Sequence, residues 1–478
     1  MNSFSQFNGL RGQFGLVPEG STRSGGVLLD LACPMLEVTD ASGSRVGSLL
    51  GHPVDLTSGK VPSASVRLPE TLGSDLDAFI EEHIYGRLGG SFIFVLDHAG
   101  RRRVYLDAGG TMAAVFDPET GRVAGSAGNL LNTRDYDRRF DRELHGFLRV
   151  ERDGWFPAGM TAHTGIRRIL VNHYLDLGTC QLHRHWPLAQ IPTSDDPPAA
   201  CRRIAATARR TIDALRADGS VAIALTGGNE SRILLAICRD IATDLDFVTI
   251  ASRQQHLDCT LVSQLVSRFG LRHRFLPAVH ATPEQTETYL TRAGHAMGDG
   301  RAQSFPSILP LARMDYFVNG LGGELARGFF WRSRDLPQTP LDARGMTTRL
   351  GMPVHPTIVA EVGRWLESVA GFDTHLTLDL AFLELRLGCW SFANSYGVPE
   401  VRHIQPLISR ASFEAMLALP PESRRQKNFS RRMIETQWPE LLEVQINRYG
   451  DYRDQVRFMK RLLSNPYLIA KKIRKKVA

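Results

Sequence analysis

The spacing of apolar positions changes character near residue 190. Before it, short apolar runs are set off by turn residues. Val27–Leu31, Ser91–Leu96, Arg103–Leu106, Ala113–Phe116 and Arg122–Ala124 predict strands, and only Leu76–Tyr85 has helical spacing. Gln190–Pro198, QIPTSDDPP, is a proline- and aspartate-rich break that predicts a linker. Beyond it, Ala199–Asp218 predicts a helix. The apolar runs Val221–Leu225, Leu245–Ala251 and His273–Leu276 then alternate with helical segments, one beginning near Ile233 and one spanning Asp258–Phe269. Strand and helix in strict alternation predict a parallel sheet with helices on both faces. The last third reads as helical. Asp379–Phe392 is apolar nearly all round and predicts a buried helix, inside which Glu384 and Arg386 need partners.

Chemistry concentrates where the first of these strands ends. Val221–Leu225 runs into Thr226-Gly227-Gly228-Asn229-Glu230-Ser231 and then into a helix. A strand, a glycine-rich turn and a helix start present free N–H groups and a positive dipole end to an anion. Adjacent glycines let a phosphate approach the backbone closely. Thr226 and Ser231 add hydroxyls, and Arg232 adds a guanidinium fork suited to phosphate oxygens. Glu230 would repel a bare phosphate, so its place in the turn implies a Mg²⁺ between them. A second turn of the same kind is Val318-Asn319-Gly320-Leu321-Gly322-Gly323-Glu324, followed by Arg327. Arg327 has three open readings: a pair with Glu324, a pair with Glu230, or a contact to pyrophosphate.

The first turn, TGGNES, resembles the SGGxDS pyrophosphate loop of N-type ATP pyrophosphatases, most closely the asparagine synthetase and β-lactam synthetase group. The second resembles that family's SGEGaDE loop. Both motif aspartates are glutamate here, Glu230 and Glu324. Other matches follow in order. Gly89–Asp97 with Val104–Gly110 is similar to the hairpin of a class II glutamine amidotransferase domain, and Val123–Ser126 and Gly165–Pro187 are similar to its later strands. Leu419-Pro420 with Lys427–Arg431 is similar to the family's lysine segment.

The resemblance implies an αββα Ntn-hydrolase-like sandwich over 1–190 and a linker over 191–198. It implies an α/β ATP-pyrophosphatase domain over 199–457, leaving a basic tail over 458–478. It further implies use of ATP and Mg²⁺, with pyrophosphate bound by Thr226, Gly227, Gly228, Ser231, Arg232, Gly322, Gly323 and Arg327, and metal held by Glu230 and Glu324. Lys427 and Glu384 are the candidate catalytic side chains, Glu384 with a structural pairing as its equal alternative. The end of the second strand, Val248–Ser252, would flank the adenosine, with Asp258 either in that wall or a plain helix-start carboxylate. The chain begins Met1-Asn2-Ser3, where the family's glutaminase has a cysteine at position 2, so no glutaminase activity is expected.

Charge and cysteine content narrow the setting. Lys and Arg number 57 against 50 Asp and Glu, giving +7, and much of the excess lies in Lys471–Lys476. The six cysteines are scattered without a CxxC pair, which suits a reduced cytoplasmic protein and neither a zinc site nor a disulfide framework. No apolar run is long enough to span a membrane. The expected function is an amide-forming ligase: a small-molecule or peptide carboxylate is activated as its acyl-adenylate, and an amine or ammonia attacks. Specialised-metabolite or surface-glycan biosynthesis is the setting this favours. A catalytically inactive scaffold paralogue is the alternative, and a tRNA-modifying pyrophosphatase is disfavoured by the first half of the chain. Homodimer formation is compatible with the sequence. The tail, with Phe458, Leu462, Leu463 and Ile469 among basic residues, has the composition of a weak membrane-surface contact.

Overall fold

The computed structural model describes residues 13–17, 28–31, 33–150, 152, 154–251, 256–298 and 300–463, without the side chains of 28–31 and 460–463. Met1–Ser3, Ser252 and tail residues 464–478 lie outside the described residues.

The first half forms two sheets. Their strands are β1 (Phe14–Val17), β2 (Leu28–Leu31), β3 (Met35–Thr39), β4 (Arg45–Asp55), β5 (Ser65–Arg67), β6 (Leu88–His98), β7 (Arg101–Leu106), β8 (Val115–Asp117), β9 (Arg122–Ala124), β10 (Arg167–Arg168), β11 (His173–Asp176) and β12 (Gln181–Arg184). One sheet has the order β10-β8-β9-β1-β2 and the other β12-β11-β7-β6-β4-β3-β5. Alternation sorts the side chains. Ile93, Val95, Val104 and Leu106 on one face of the larger sheet share a core with Phe14, Leu16, Phe116 and Val123 of the smaller. Phe92, Phe94 and Leu96 on the opposite face pack with Leu76, Phe79, Ile80 and Ile84 of the segment Leu76–Tyr85, which begins as α-helix and finishes as one turn of π-helix.

Pattern reading misses β1, β3, β4 and β5, and β4 is one of the two longest strands among the described residues. Its sequence, RVGSLLGHPVD, carries Gly47, Gly51 and Pro53, which read as turn signals. Gly47 is there for close approach: a Cβ on it would sit 2.2 Å from the Val95 carbonyl oxygen. Gly51 adopts φ +102°, a conformation open to glycine and costly to other residues.

The second half supplies β13 (Val221–Ala224), β14 (Asp246–Ala251), β15 (Arg272–Pro277), β16 (Tyr316–Val318) and β17 (His403–Ile404). Their order is β15-β14-β13-β16-β17, and every neighbouring pair is parallel. The chain thus builds outward from β13 in one direction and then resumes at β16 on its other side. In open parallel sheets, ligands bind beyond the carboxyl ends at such a reversal. The register pairs Ile223 with Val318, so the turns after β13 and β16 leave the sheet side by side. The Pro197–Asp218 helix lies against this unit. Asp196 caps its first turn, accepting from Ala199 N, and it buries Ile204, Ala208, Ile212 and Leu215 on one face.

The long buried helix predicted over Asp379–Phe392 is broken. Helix Thr374–Leu385 ends at Arg386, whose φ of −126° and ψ of −73° leave the helical region, and short helical turns follow. The break lets Arg386 stack on Trp155 and Phe329, at 4.6 and 5.0 Å from the ring centres. It also brings Ser391 Oγ within hydrogen-bonding distance of the carbonyls of Gly109 and Gly110, at 2.8 and 2.7 Å. Trp155 Nε1 donates to Leu385 O and Tyr396 Oη to Ala113 O, so both halves share bonds as well as one continuous core. All six cysteines are unpaired. Among the described residues, no helix is long and apolar enough to cross a membrane.

Candidate functional site

The turn after β13 is braced from within. Thr226 N donates to Ser231 Oγ at 3.0 Å, the two hydroxyls meet at 2.9 Å, and Gly228 N donates to Thr226 Oγ1 at 3.2 Å. The hydroxyls therefore hold the backbone in its arc. Helix Asn229–Ile237 starts at Gly228 with no side chain capping it, which leaves its first-turn amides available to an anion. Two further residues clasp the turn. Asp258 Oδ1 accepts from Gly227 N at 2.9 Å, and Asn447 N donates to Gly227 O at 2.9 Å. A Cβ on Gly227 would meet Leu261 Cδ1 at 2.6 Å and Asp258 Oδ1 at 3.0 Å, so a larger residue would have to push both side chains aside.

The turn after β16 lies directly on the first. A Cβ on Gly320 would meet Glu230 Cβ at 2.7 Å, and one on Gly323 would meet Glu230 Cγ at 3.4 Å. Gly322 adopts φ +107°, and its N–H donates to Glu324 Oε2 at 3.2 Å, which curls that carboxylate back over its own turn. Arg327 Nη2 donates to Glu230 Oε1 at 2.5 Å. Of the three readings open for Arg327, the structure shows the pair with Glu230. Burial raises the pKa of Glu230, Arg327 pulls it down, and Glu324 pushes it up again; the net shift is upward.

Glu230, Glu324 and Asp258 thus surround a turn whose remaining amides suit an anion, with Arg327 the cation paired to this group. A phosphate entering alone meets like charge in a partly buried cleft. A divalent cation resolves that conflict, and Mg²⁺ is commonly held by one or two carboxylates together with phosphates and waters. Glu230 and Glu324 fit such a role. Among the described residues no group of three or more His, Cys, Asp or Glu is arranged to hold a metal by itself, so any ion here would depend on its phosphate ligand.

Three sequence-predicted residues stand elsewhere. Arg232 does not face the turn. It is fully buried, and its guanidinium donates to the carbonyls of Leu441, Val444 and Gln445, tying the Asn229–Ile237 helix to the segment that delivers Asn447. Burial draws its pKa down to about 10, and the charge is met by carbonyl dipoles. The helix is buried all round from Ser231 to Ile237, so the Arg232 side chain has no route to solvent and takes backbone carbonyls as partners. Glu384 is likewise a strut. Arg184 donates to both its oxygens at 2.6 and 2.8 Å, Asn172 adds a third bond at 2.9 Å and Trp365 a fourth at 2.7 Å. No lone pair is left over for catalysis. Lys427 is exposed, at φ +53°, just before the helix Phe429–Gln437. Among the described residues its ammonium makes no bond with either glycine turn.

Asp258 and Asn447 are the positions where sequence reading stops short. Asp258 is open to either a wall or a helix-start role, and its bond to Gly227 N is a third one. Asn447 carries no local signal beyond being an asparagine able to adopt φ +57°.

No protein-family model matches the chain, and no curated protein matches it. Among solved structures, the chain is similar to NMN synthetase from Francisella tularensis, with 11% identity over 43% of this chain and 94% of that chain and a TM-score of 0.19; so loose a superposition carries no argument about this chain.

Proposed function

We propose that this protein is an ATP- and Mg²⁺-dependent amide-forming ligase of the asparagine synthetase-like kind, with 1–190 an amidotransferase-like sandwich and 199–457 the ATP-pyrophosphatase unit. The observation that carries the reading is the meeting of the two glycine turns at the reversal of the parallel sheet, with Gly320 and Gly323 packed on Glu230. The turn amides bind phosphate, and Thr226 and Ser231 fix their arc. Glu230 and Glu324 would hold the metal, which would supply neutralising charge to the phosphates. Arg327 orients Glu230 through their ion pair, and a cation held by Glu230 would free its guanidinium for pyrophosphate. A carboxylate substrate, small or peptidic, attacks the α-phosphorus, pyrophosphate leaves, and an amine or ammonia displaces AMP from the acyl-adenylate. Lys427 on its exposed turn stabilises charge in that second step.

The test is pyrophosphate release by purified protein over a panel of candidate acids. Release that requires both an acid and Mg²⁺ supports the ligase. The second reading is a scaffold with a self-neutralised site, favoured by the Arg327–Glu230 pair and by Asp258 on Gly227 N. Absence of any magnesium-dependent ATP binding would establish it.

A further inference from the structure

A cavity of about 560 Å³ lies between the Arg142–Leu148 helix and the Pro283–Arg292 helix. No residue of the two glycine turns lines it. Its volume is that of an ordinary small-molecule site. Among the described residues its wall carries Arg142, His145, Arg149, Arg152 and His295, against one carboxylate, Glu287, 3.9 Å from His295 Nε2. Among the described residues neither Arg142 nor Arg149 has a carboxylate partner; Arg142 only leans on the ring of Phe140, 5.5 Å from its centre.

The buried side of the cavity is also incomplete. His295 is 6% exposed, and its Nδ1 has no hydrogen-bond partner. Behind it His163, 1% exposed, has no partner on either ring nitrogen. Burial, reinforced by the neighbouring imidazoles and Arg142, pushes the pKa of His295 down to about 3, so it meets a ligand as a neutral hydrogen-bonding group. Buried polar atoms are nearly always paired, and an unpaired one beside a cavity calls for a missing partner. Two lining residues are strained as well. Arg149 at φ +55° and His295 at φ +49° are non-glycine residues in the left-handed region, where such strain collects at binding sites.

We propose that this cavity is a second ligand site, for a small organic anion. Its phosphate or carboxylate group would sit between Arg142 and Arg149, and its apolar body would lie on Phe140 and Leu290 with His295 Nδ1 bonded to it. The excess of cationic side chains among the described lining residues sets the sign of the ligand. The volume and the apolar wall call for more than a lone inorganic ion.

Calorimetric titration with phenyl phosphate, benzoate and uncharged benzyl alcohol tests it. Saturable binding of either anion, with benzyl alcohol silent, is the expected result, and the better anion identifies the head group. Arg142→Gln and Arg149→Gln lie on exposed positions that leave the core intact, and each should weaken binding about tenfold, the worth of one charge-assisted hydrogen bond. The His295 ring resonances should shift on titration, and saturation with Mg·ATP should leave the affinity unchanged. The proposal is overturned if neither anion binds, if benzyl alcohol binds as well as they do, if the double arginine variant binds like the parent, or if Mg·ATP displaces the anion.

Discussion

Glu230 and Glu384 are both at least partly buried carboxylates paired with an arginine, yet they are opposite cases. Glu384 is 0% exposed, and its two oxygens take four donors from Arg184, Asn172 and Trp365. Burial alone would raise its pKa, but Arg184 and these hydrogen bonds overcome it and hold the group below the usual carboxylate range. Glu230 has one arginine on one oxygen and a second glutamate facing it, and its pKa is shifted upward. A saturated ion pair fixes structure. An unsaturated one beside a like charge stores a need for a cation, which is the property a metal–phosphate site requires.

The largest expected effect breaks the saturated pair. Glu384→Ala leaves Arg184 charged and largely shielded without its carboxylate partner, and breaking a buried pair in this way typically costs about 3–5 kcal/mol. Chemical denaturation should show the loss, while the folded fraction still binds nucleotide like the parent. An unchanged midpoint would mean Arg184 finds water or another acceptor. Lys427→Met comes next. If Lys427 stabilises charge in the transition state, product formation should fall by roughly 10²–10³, the usual worth of one such donor, with nucleotide binding nearly constant. Equal rates would leave it a solvated surface residue.

Glu230 sharpens the comparison through metal dependence. Glu230→Gln should weaken Mg·ATP binding in calorimetry and abolish pyrophosphate release, whereas Glu230→Asp should retain part of both. Identical titrations for parent and Glu230→Gln, neither responding to the metal, would remove the ligase reading. The two glutamates should also part company with pH. The depressed pKa of Glu384 means that its stabilisation is present above the ordinary carboxylate pKa and lost as pH falls through its lower folded value. The raised pKa of Glu230 has the reverse sign: its neutral form favours folding, a contribution present below the ordinary carboxylate pKa and lost as pH rises through its folded value. Magnesium dependence of ATP binding should therefore fade on acidification above the pH at which Glu384→Ala and parent converge in stability.

The smallest effect concerns the C-terminal helix Tyr452–Leu463. Tyr452, Val456 and Met459 recur on one side of it and are 72%, 46% and 54% exposed. With Arg453, Arg457 and the lysines that follow in sequence, this is the pattern of a surface-lying helix. The proposed contact with an anionic membrane surface predicts co-sedimentation with phosphatidylglycerol vesicles that is lost in high salt and in Val456→Glu. Stability should change by less than about 0.5 kcal/mol in that variant, as for exposed sites generally. Vesicle binding indifferent to both changes would remove the contact.

By itself the sequence determined the alternation of strand and helix after residue 190 and the place of both glycine turns, because period and backbone demand are local. Buried strands need continuous apolar residues, and a backbone that must pass close to another group needs glycine wherever that group comes from. Only the tertiary structure decided what each polar side chain does. Arg232 has the right chemistry for a phosphate site and Glu384 for catalysis, but Arg232 is buried against backbone carbonyls and Glu384 meets Arg184, 200 residues away in the chain. Strand β4 was hidden for the same reason: Gly47 and Gly51 look like turns until Val95 and Met112 are seen against them. Asp258 and Asn447 reach the first turn from other elements, at separations no local pattern encodes. Partnership across the fold sets whether a charge is spent on structure or left available for a ligand, and the spacing of residues along the chain carries no record of it.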